Sequence, residues 1–394
     1  MATVPTGIEK LDELMGGGLE KGSSALIHMT PGLDGSTFAQ QMLLEGLKKG
    51  LDGIYVVNNK APESVLDATA QLNWRSELFK KVKFVDCFSA TLGQASEQKY
   101  VVKTPWDLKE MGAVLDKALK ENDNAVLVFD SLSSLMERKG EKEVLGNLKE
   151  WKDAMKKKGV TAIYLFTDWG ATKEGTDSFG RISGAFDYAL RLRAVEEKLL
   201  LRNYFSVERA PGKFQKVAVP FKIGLEGVAI YVPKILVTGP FHAGKSTFIH
   251  AVSTRAVSVD RMGTTIALDH GYIDYGGMSI DLFGTPGQER FTFMIDILNR
   301  DVFGIILLVD STNPEIERAY EMIKYVERYG IPTVVSANKQ DVRGAMKPED
   351  IKKELVKRGL AKETIVIGTS ATNKNGCIDV VKALMDAIIG VKHA

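Results

Sequence analysis

The ten residues GPFHAGKSTF at 239–248 decide the fold of the second half of this chain. They follow the apolar, β-branched run KILVT at 234–238 and lead into a helical stretch that begins at Ser246. Strand, glycine-rich turn and helix in that order are the setting that the pattern G-x-x-x-x-G-K-[ST] requires. Gly239 and Gly244 let backbone N–H groups approach phosphate oxygens, and Lys245 neutralises charge on the β- and γ-phosphates. Ser246 can place its hydroxyl on Mg2+, while the new helix points its positive end at the phosphates.

A second string, MTPGLDGSTF at 29–38, lies over the first without a gap. Met29 then stands for Gly239, Asp34 for Gly244, Gly35 for Lys245 and Ser36 for Ser246. The loop keeps its proline, glycine and hydroxyls and has lost its lysine. Around each loop, short apolar runs alternate with helical stretches, which predicts two α/β units in a chain of 394 residues. In the first unit the runs are SALIHM, GIYVVNN, KVKFVD, AVLVFD and TAIYLF, separated by helices such as 37–49 and 106–121. The lysines and glycine of KKKG at 156–159 read as a helix end, where cations meet the negative pole and glycine allows a left-handed cap. From 185 to 232 the pattern changes to consecutive strands, and AIYVPKILVTG runs almost directly into the second unit. A connection this short is expected to couple the two domains.

Composition narrows the function classes. Lys plus Arg is 52 against Asp plus Glu 50, so there is no bulk positive charge to hold nucleic acid. FGIILLV at 303–309 is the longest apolar run and falls far short of the roughly 18 residues of a membrane span. Cys87 and Cys377 stand far apart without companions, which excludes a zinc cluster and suits a reducing cytoplasmic setting.

Further motifs identify the base. SANKQD at 336–341 follows IPTVV, which puts Asn338, Lys339 and Asp341 at the carboxyl end of a strand. A carboxylate there can accept from the N1–H and the amino group of guanine, whereas adenine would leave Asp341 unpaired. GTSAT at 368–372 follows TIVI, and a backbone N–H near Ala371 is placed to reach the guanine oxygen. GTTIALDHG and DLFGTPGQERF flank a hairpin turning at 275–277 and take the places of two switch segments. Thr265 would sense Mg2+ and the γ-phosphate, and Gln288 would orient the attacking water.

These residues resemble the Ras-like small GTPases over about 233–390, and GTTIALDHG with FGTPGQERF resembles the prokaryotic branch related to gliding-motility and cell-polarity GTPases. The resemblance implies GTP/GDP and Mg2+ as cofactors. The nucleotide would be held by Gly239, His242, Ala243, Gly244, Lys245, Ser246, Thr247, Thr265, Gly287, Asn338, Lys339, Asp341, Ser370, Ala371 and Thr372. Ser246 and Thr265 would bind the metal, and Gln288 is the catalytic candidate. It also implies a protein regulator or effector, of the roadblock type. Two departures matter. Switch II of the family begins Asp-x-x-Gly, but Gly284 stands where that aspartate belongs, and Asp281, three residues earlier, should face the other way. Asp269 on the preceding strand is the candidate replacement. Phe241 and His242 fill loop positions that are often small, and a bulky Phe241 would obstruct an arginine finger, so slow hydrolysis is expected.

The first half resembles the RecA-like ATPases of the KaiC type over about 3–232, through TGIEKLDELMGGGLEKG, QLNW and AVLVFDSLSSLM. Asp130–Ser131 is a Walker-B-like strand end able to hold Mg2+ through water. The whole is then an α/β chain of two P-loop NTPase-type domains: a RecA-like domain with a strand-rich C-terminal end at 1–232, and a Ras-like G domain at 233–394. The catalytic parts of the first are missing. Asp34 and Gly35 replace glycine and lysine, and Asn58 and Asn59 stand where the family has a glutamate pair that activates water. Two like charges about 4 Å apart repel by ~4 kcal/mol at an effective dielectric of 20, enough to weaken triphosphate binding by orders of magnitude. A pseudo-ATPase site without its cation is expected.

Three functional readings follow. The first is a GTP-dependent switch carried on an inactive RecA-like domain that binds a partner, sets a homo-oligomeric state or reads the switch. The second is an assembly protein that holds GTP without hydrolysing it. The third is a RecA-like ATPase regulated by the attached GTPase, against which Asp34, Gly35, Asn58 and the near-neutral charge all count.

Overall fold

In the computed structural model, which describes residues 2–74, 76–170, 178–197, 200–258, 269–275, 278–285 and 302–389, the apolar runs quoted above are strands. The chain forms two units, Met1–Ala194 with Asn203–Tyr231, and Val195–Arg202 with Val232–Ala394.

In the first unit, β1 (Thr3–Val4) and β2 (Leu19–Glu20) make a small antiparallel ribbon. The main sheet is built from β3 (Ser24–Met29), β4 (Asp52–Val57), β5 (Lys83–Asp86), β6 (Tyr100–Val101), β7 (Ala125–Asp130), β8 (Thr161–Thr167), β9 (Tyr188–Glu197), β10 (Leu200–Arg209), β11 (Ala218–Gly224) and β12 (Gly227–Ile230). Its order is β12-β11-β10-β9-β3-β8-β7-β4-β5-β6. From β9 to β6 the pairs are parallel, and β10, β11 and β12 pair antiparallel, which is the strand-rich end foreseen. Parallel strands are covered on both faces, so they read as unbroken apolar runs. β3 and β7 are buried along their whole length. One face packs around Phe38, Met42, Phe205 and Phe221, the other around Leu115, Phe129, Trp151 and Tyr164. The helix Glu141–Lys157 ends at KKKG as expected, with Gly159 at φ +69°.

The second unit has one sheet, ordered β14-β15-β16-β13-β17-β18-β19. Its strands are β13 (Lys234–Thr238), β14 (Arg255–Ser258), β15 (Asp269–Tyr275), β16 (Met278–Gly284), β17 (Val302–Asp310), β18 (Thr333–Asn338) and β19 (Ile365–Gly368). β13 pairs parallel with β16 on one side and β17 on the other, so the chain order reverses at β13. Such a reversal opens a crevice at the carboxyl ends of the strands, where ligands of open α/β sheets bind. Cys87 and Cys377 are both buried and unbridged. Among the described residues, no helix is long and apolar enough to cross a membrane.

Candidate functional site

The loop after β13 has the cradle shape its sequence predicts, and its glycines are needed. Gly239 has φ +149° and a Cβ there would run into the Leu308 carbonyl oxygen. Gly244 has φ +90°, and a Cβ there would reach 2.5 Å from Asn338 Nδ2. Behind the loop the helix Lys245–Val252 starts, with Ser246 and Thr247 exposed at its first turn and Ala243 buried. Lys245 donates to the Gly239 and Pro240 carbonyls at 2.9 Å each. Burial holds its ammonium below the usual lysine range, while the Asp269 carboxylate pulls the other way. Phe241 lies 60% exposed beside His242, which has φ +59°. Lysine charge, glycine turn and helix start thus converge on one loop, which fits a phosphate chain.

Three loops meet through Asn338. Its Nδ2 donates to the Ala243 carbonyl at 2.9 Å, and its Oδ1 accepts from Thr369 Oγ1 at 3.1 Å and from the Ala371 N–H at 3.0 Å. This buried amide joins the phosphate loop to the loop after β19. Lys339 is held by Asp310 Oδ2 at 2.6 Å, and Gln340 donates to Ser311 Oγ and the Met346 carbonyl. Asp341 is exposed next to them, and Ser370 and Asn375 bridge the last loop. The Ala371 N–H faces the buried Asn338 oxygen, and Thr372 beside it is exposed.

Register places the carboxylates. β15 and β16 pair His270 with Phe283 and Tyr272 with Asp281, so Asp281 shares a face with His270, 3.8 Å away. Gly284 lies on the opposite face, as alternation requires. There Ile249 and Asp269 fill the space: a Cβ at 284 would be 2.9 Å from Ile249 Cδ1 and 3.1 Å from the Asp269 Cβ. The Asp269 carboxylate accepts a hydrogen bond from Ser246 Oγ, the hydroxyl assigned to the metal. Thr265, Gly287 and Gln288 lie outside the described residues, which include only 269–271 and 281–285 of the two switch segments.

The first unit's loop is arranged differently. Asp34 caps the helix Gly35–Lys48, accepting from the Thr37 N–H at 3.1 Å and the Thr37 hydroxyl at 2.5 Å. Met29 is buried, and its terminal sulfur and methyl lie where a Cβ at Gly35 would be. Ser36 Oγ is 3.3 Å from Asp130 Oδ2, the pairing that a Walker-type site has. Asn58 does not face water. Its amide donates to the Ser131 carbonyl at 2.9 Å and accepts from the Ser131 N–H at 2.8 Å. Asn59 reaches Asp130 Oδ1 at 3.4 Å. The expectation of a site without a cation is corrected: Lys60 Nζ stands 2.7 Å from Asp130 Oδ2 and 3.2 Å from Ser36 Oγ. Sequence reasoning passed over Lys60 because its reach into the site is set by the turn after β4, not by any spacing. Its place directly behind Asn58 and Asn59 was the only signal.

The family model described as ATPase: KaiC matches residues 4–235, and that of the ADP-ribosylation factor family, Arf, matches residues 231–388. A UPF0273 protein of Thermotoga maritima is 29% identical over 235 residues, covering 58% of this chain and 95% of its own. One of Sulfurisphaera tokodaii is 30% identical over 243 residues, covering 59% and 83%. The crystal structure of a KaiC-like protein from Pyrococcus horikoshii aligns with a TM-score of 0.49 at 22% identity, covering 58% of this chain and 99% of that one.

Proposed function

The chain belongs to the KaiC-type ATPase family, followed by an Arf/Ras-like GTPase domain, and on that premise we propose a GTP-dependent switch carried on a RecA-like domain that does not turn over ATP. The switch hydrolyses GTP slowly and is regulated by or acts on a protein partner. The observation that carries it is Asn338, whose single side chain ties the phosphate loop at Ala243 to the base-side loop at Ala371. A nucleotide lying across both loops would find its phosphates and its base addressed by one connected frame.

In this reading Gly239, His242, Ala243, Gly244, Lys245 and Thr247 take the phosphates, and Lys339, Asp341, Ser370 and Thr372 surround the base. Ser246 and Thr265 would hold Mg2+, which when bound shares with Lys245 the neutralisation of phosphate charge. Asp269 supplies the carboxylate missing at Gly284: it orients the Ser246 hydroxyl as a neighbouring acceptor, a role that outer partners of metal ligands perform. Gly287 and Gln288 would complete the site from the second switch segment, with Gln288 positioning water. Exposed Phe241 rises from the loop where an arginine finger would enter, which supports hydrolysis that stays slow when a partner docks there.

Titration of guanine and adenine nucleotides into wild type and Asp341→Ala tests the reading. Wild type should prefer GTP and GDP, and Asp341→Ala should lose that preference by about 100-fold or more, since an unpaired polar partner discriminates strongly. Equal affinity of wild type for ATP and GTP would defeat it. A reading as a permanent GTP holder draws on Phe241 and Gly284 and predicts stoichiometric GTP, not GDP, in protein denatured after purification.

A further inference from the structure

We infer that the nucleotide site of the first unit is filled by the chain's own side chains, with the Asp34 carboxylate in place of a phosphate at the helix start and the Lys60 ammonium in place of the divalent cation between Ser36 and Asp130. The inference rests on, and deepens, the reading of this unit as a domain without ATP turnover. It gives that loss a structural content: the site is closed by replacement.

Three substitutions act as one arrangement. A helix N-terminus attracts an anion through its unpaired N–H groups. Here Asp34 is that anion, bound to the Thr37 N–H and hydroxyl. A Walker-type serine and aspartate are joined by a hydrated cation in working sites. Here Lys60 joins them, at 3.2 Å and 2.7 Å. The remaining acceptor capacity of Asp130 goes to Tyr55 Oη at 3.0 Å and Asn59 Nδ2 at 3.4 Å. The space above Gly35 is taken by the end of the Met29 side chain, which must move before a lysine side chain could leave that position. The Asp130 side chain is only 4% exposed, and a carboxylate so placed requires a paired charge or donors. Lys60 meets that requirement, so the folded unit needs no metal to balance Asp130. In the second unit the comparable serine, Ser246, meets Asp269 directly, and Lys245 is held on loop carbonyls. In both loops the serine hydroxyl reaches the aspartate, and the first differs in adding an ammonium that contacts both groups.

The test measures binding of fluorescent ATP with Mg2+ to the full chain, with GTP saturating the second unit. Four proteins are compared: wild type, Lys60→Met, the triple variant Met29→Gly/Asp34→Gly/Gly35→Lys, and the triple variant combined with Lys60→Met. Wild type and Lys60→Met should show no saturable binding. The quadruple variant should bind at least tenfold more tightly than the triple, because only there is the metal's place vacated as well. Binding by wild type that Lys60→Met weakens would overturn the inference, since Lys60 would then be a relocated phosphate lysine. Equal affinity of triple and quadruple variants would also overturn it. If the rebuilt proteins fail to fold, amide exchange in Lys60→Met decides. Residues 34–40 should exchange at least tenfold faster than in wild type, and added Mg2+ should slow them again. Unchanged exchange would sink the inference. ATP turnover that survives Asp341→Ala would defeat the inactive-domain reading itself, whereas ATP binding without turnover would defeat only the present inference.

Discussion

At Gly284 the chain has no side chain to offer, and the carboxylate beside it comes from the neighbouring strand. Asp269 packs where a side chain at 284 would go and accepts from Ser246. Asp269→Asn keeps the shape and removes the charge. The expected result is a 10- to 100-fold higher Mg2+ requirement for retaining guanine nucleotide, roughly the effect of losing an outer partner of a metal ligand. Metal titration of nucleotide release measures it, and an unchanged requirement would return the role to another group. Gly35 poses the opposite problem. Restoring the lysine alone, as Gly35→Lys, makes the end of Met29 move aside and should cost the first unit at most about 1 kcal/mol without creating ATP affinity. Urea unfolding reads this, and adding Met29→Ala should recover part of the loss by clearing the space.

Between elements, the ends of β17 and β18 are held by a charge pair. The register sets Asp310 beside Asn338, and Lys339 donates to Asp310 at 2.6 Å. Burial raises the Asp310 carboxyl, but the Lys339 ammonium with the Thr312 hydroxyl and amide outweighs it, leaving the group below its usual range. A carboxyl lowered by folding contributes stability that is complete above its unfolded pKa, near ~3.9, and is lost as pH falls through the lower folded value. Unfolding of the second unit should therefore lose this contribution only on the acid side of about pH 4. Asp310→Asn should flatten that limb while leaving the slope between pH 5 and 8 unchanged. A change confined to neutral pH would contradict the assignment. At the same level, the helix Gly35–Lys48 owes its start to Asp34, whose replacement by alanine removes a cap typically worth about 0.5–2 kcal/mol.

For the whole molecule, the two loops should respond to different ligands. A ligand that binds only the folded state at 100 times its dissociation constant stabilises by about 2.7 kcal/mol. Guanine nucleotide at that level should raise the thermal transition of the second unit, and ATP at the same concentration should move no transition. Calorimetry of the full chain measures both at once. A rise produced by ATP and preserved in Asp341→Ala would place an adenine nucleotide in the first unit.

Local chemistry made much of this legible. Buried parallel strands must be continuously apolar, so SALIHM, AVLVFD and TAIYLF could be read as strands, and a phosphate loop must place glycines where backbone comes close, so 239–246 could be read as a cradle. The RecA-like and Ras-like classes came from the resemblance of the motifs to known families, and the opposed faces of Asp281 and Gly284 from the alternation of side chains along a strand. The sequence by itself determined which residue types each loop has kept or lost. Only the tertiary structure decided what took their place. Lys60 reaches Asp130 across 70 positions, Asp269 reaches Ser246 across 23, and Asn338 ties Ala243 to Ala371. A charge or a hydrogen bond is satisfied by whatever group the fold brings near, and nearness between distant positions is set by sheet order and turn geometry, which no local spacing records.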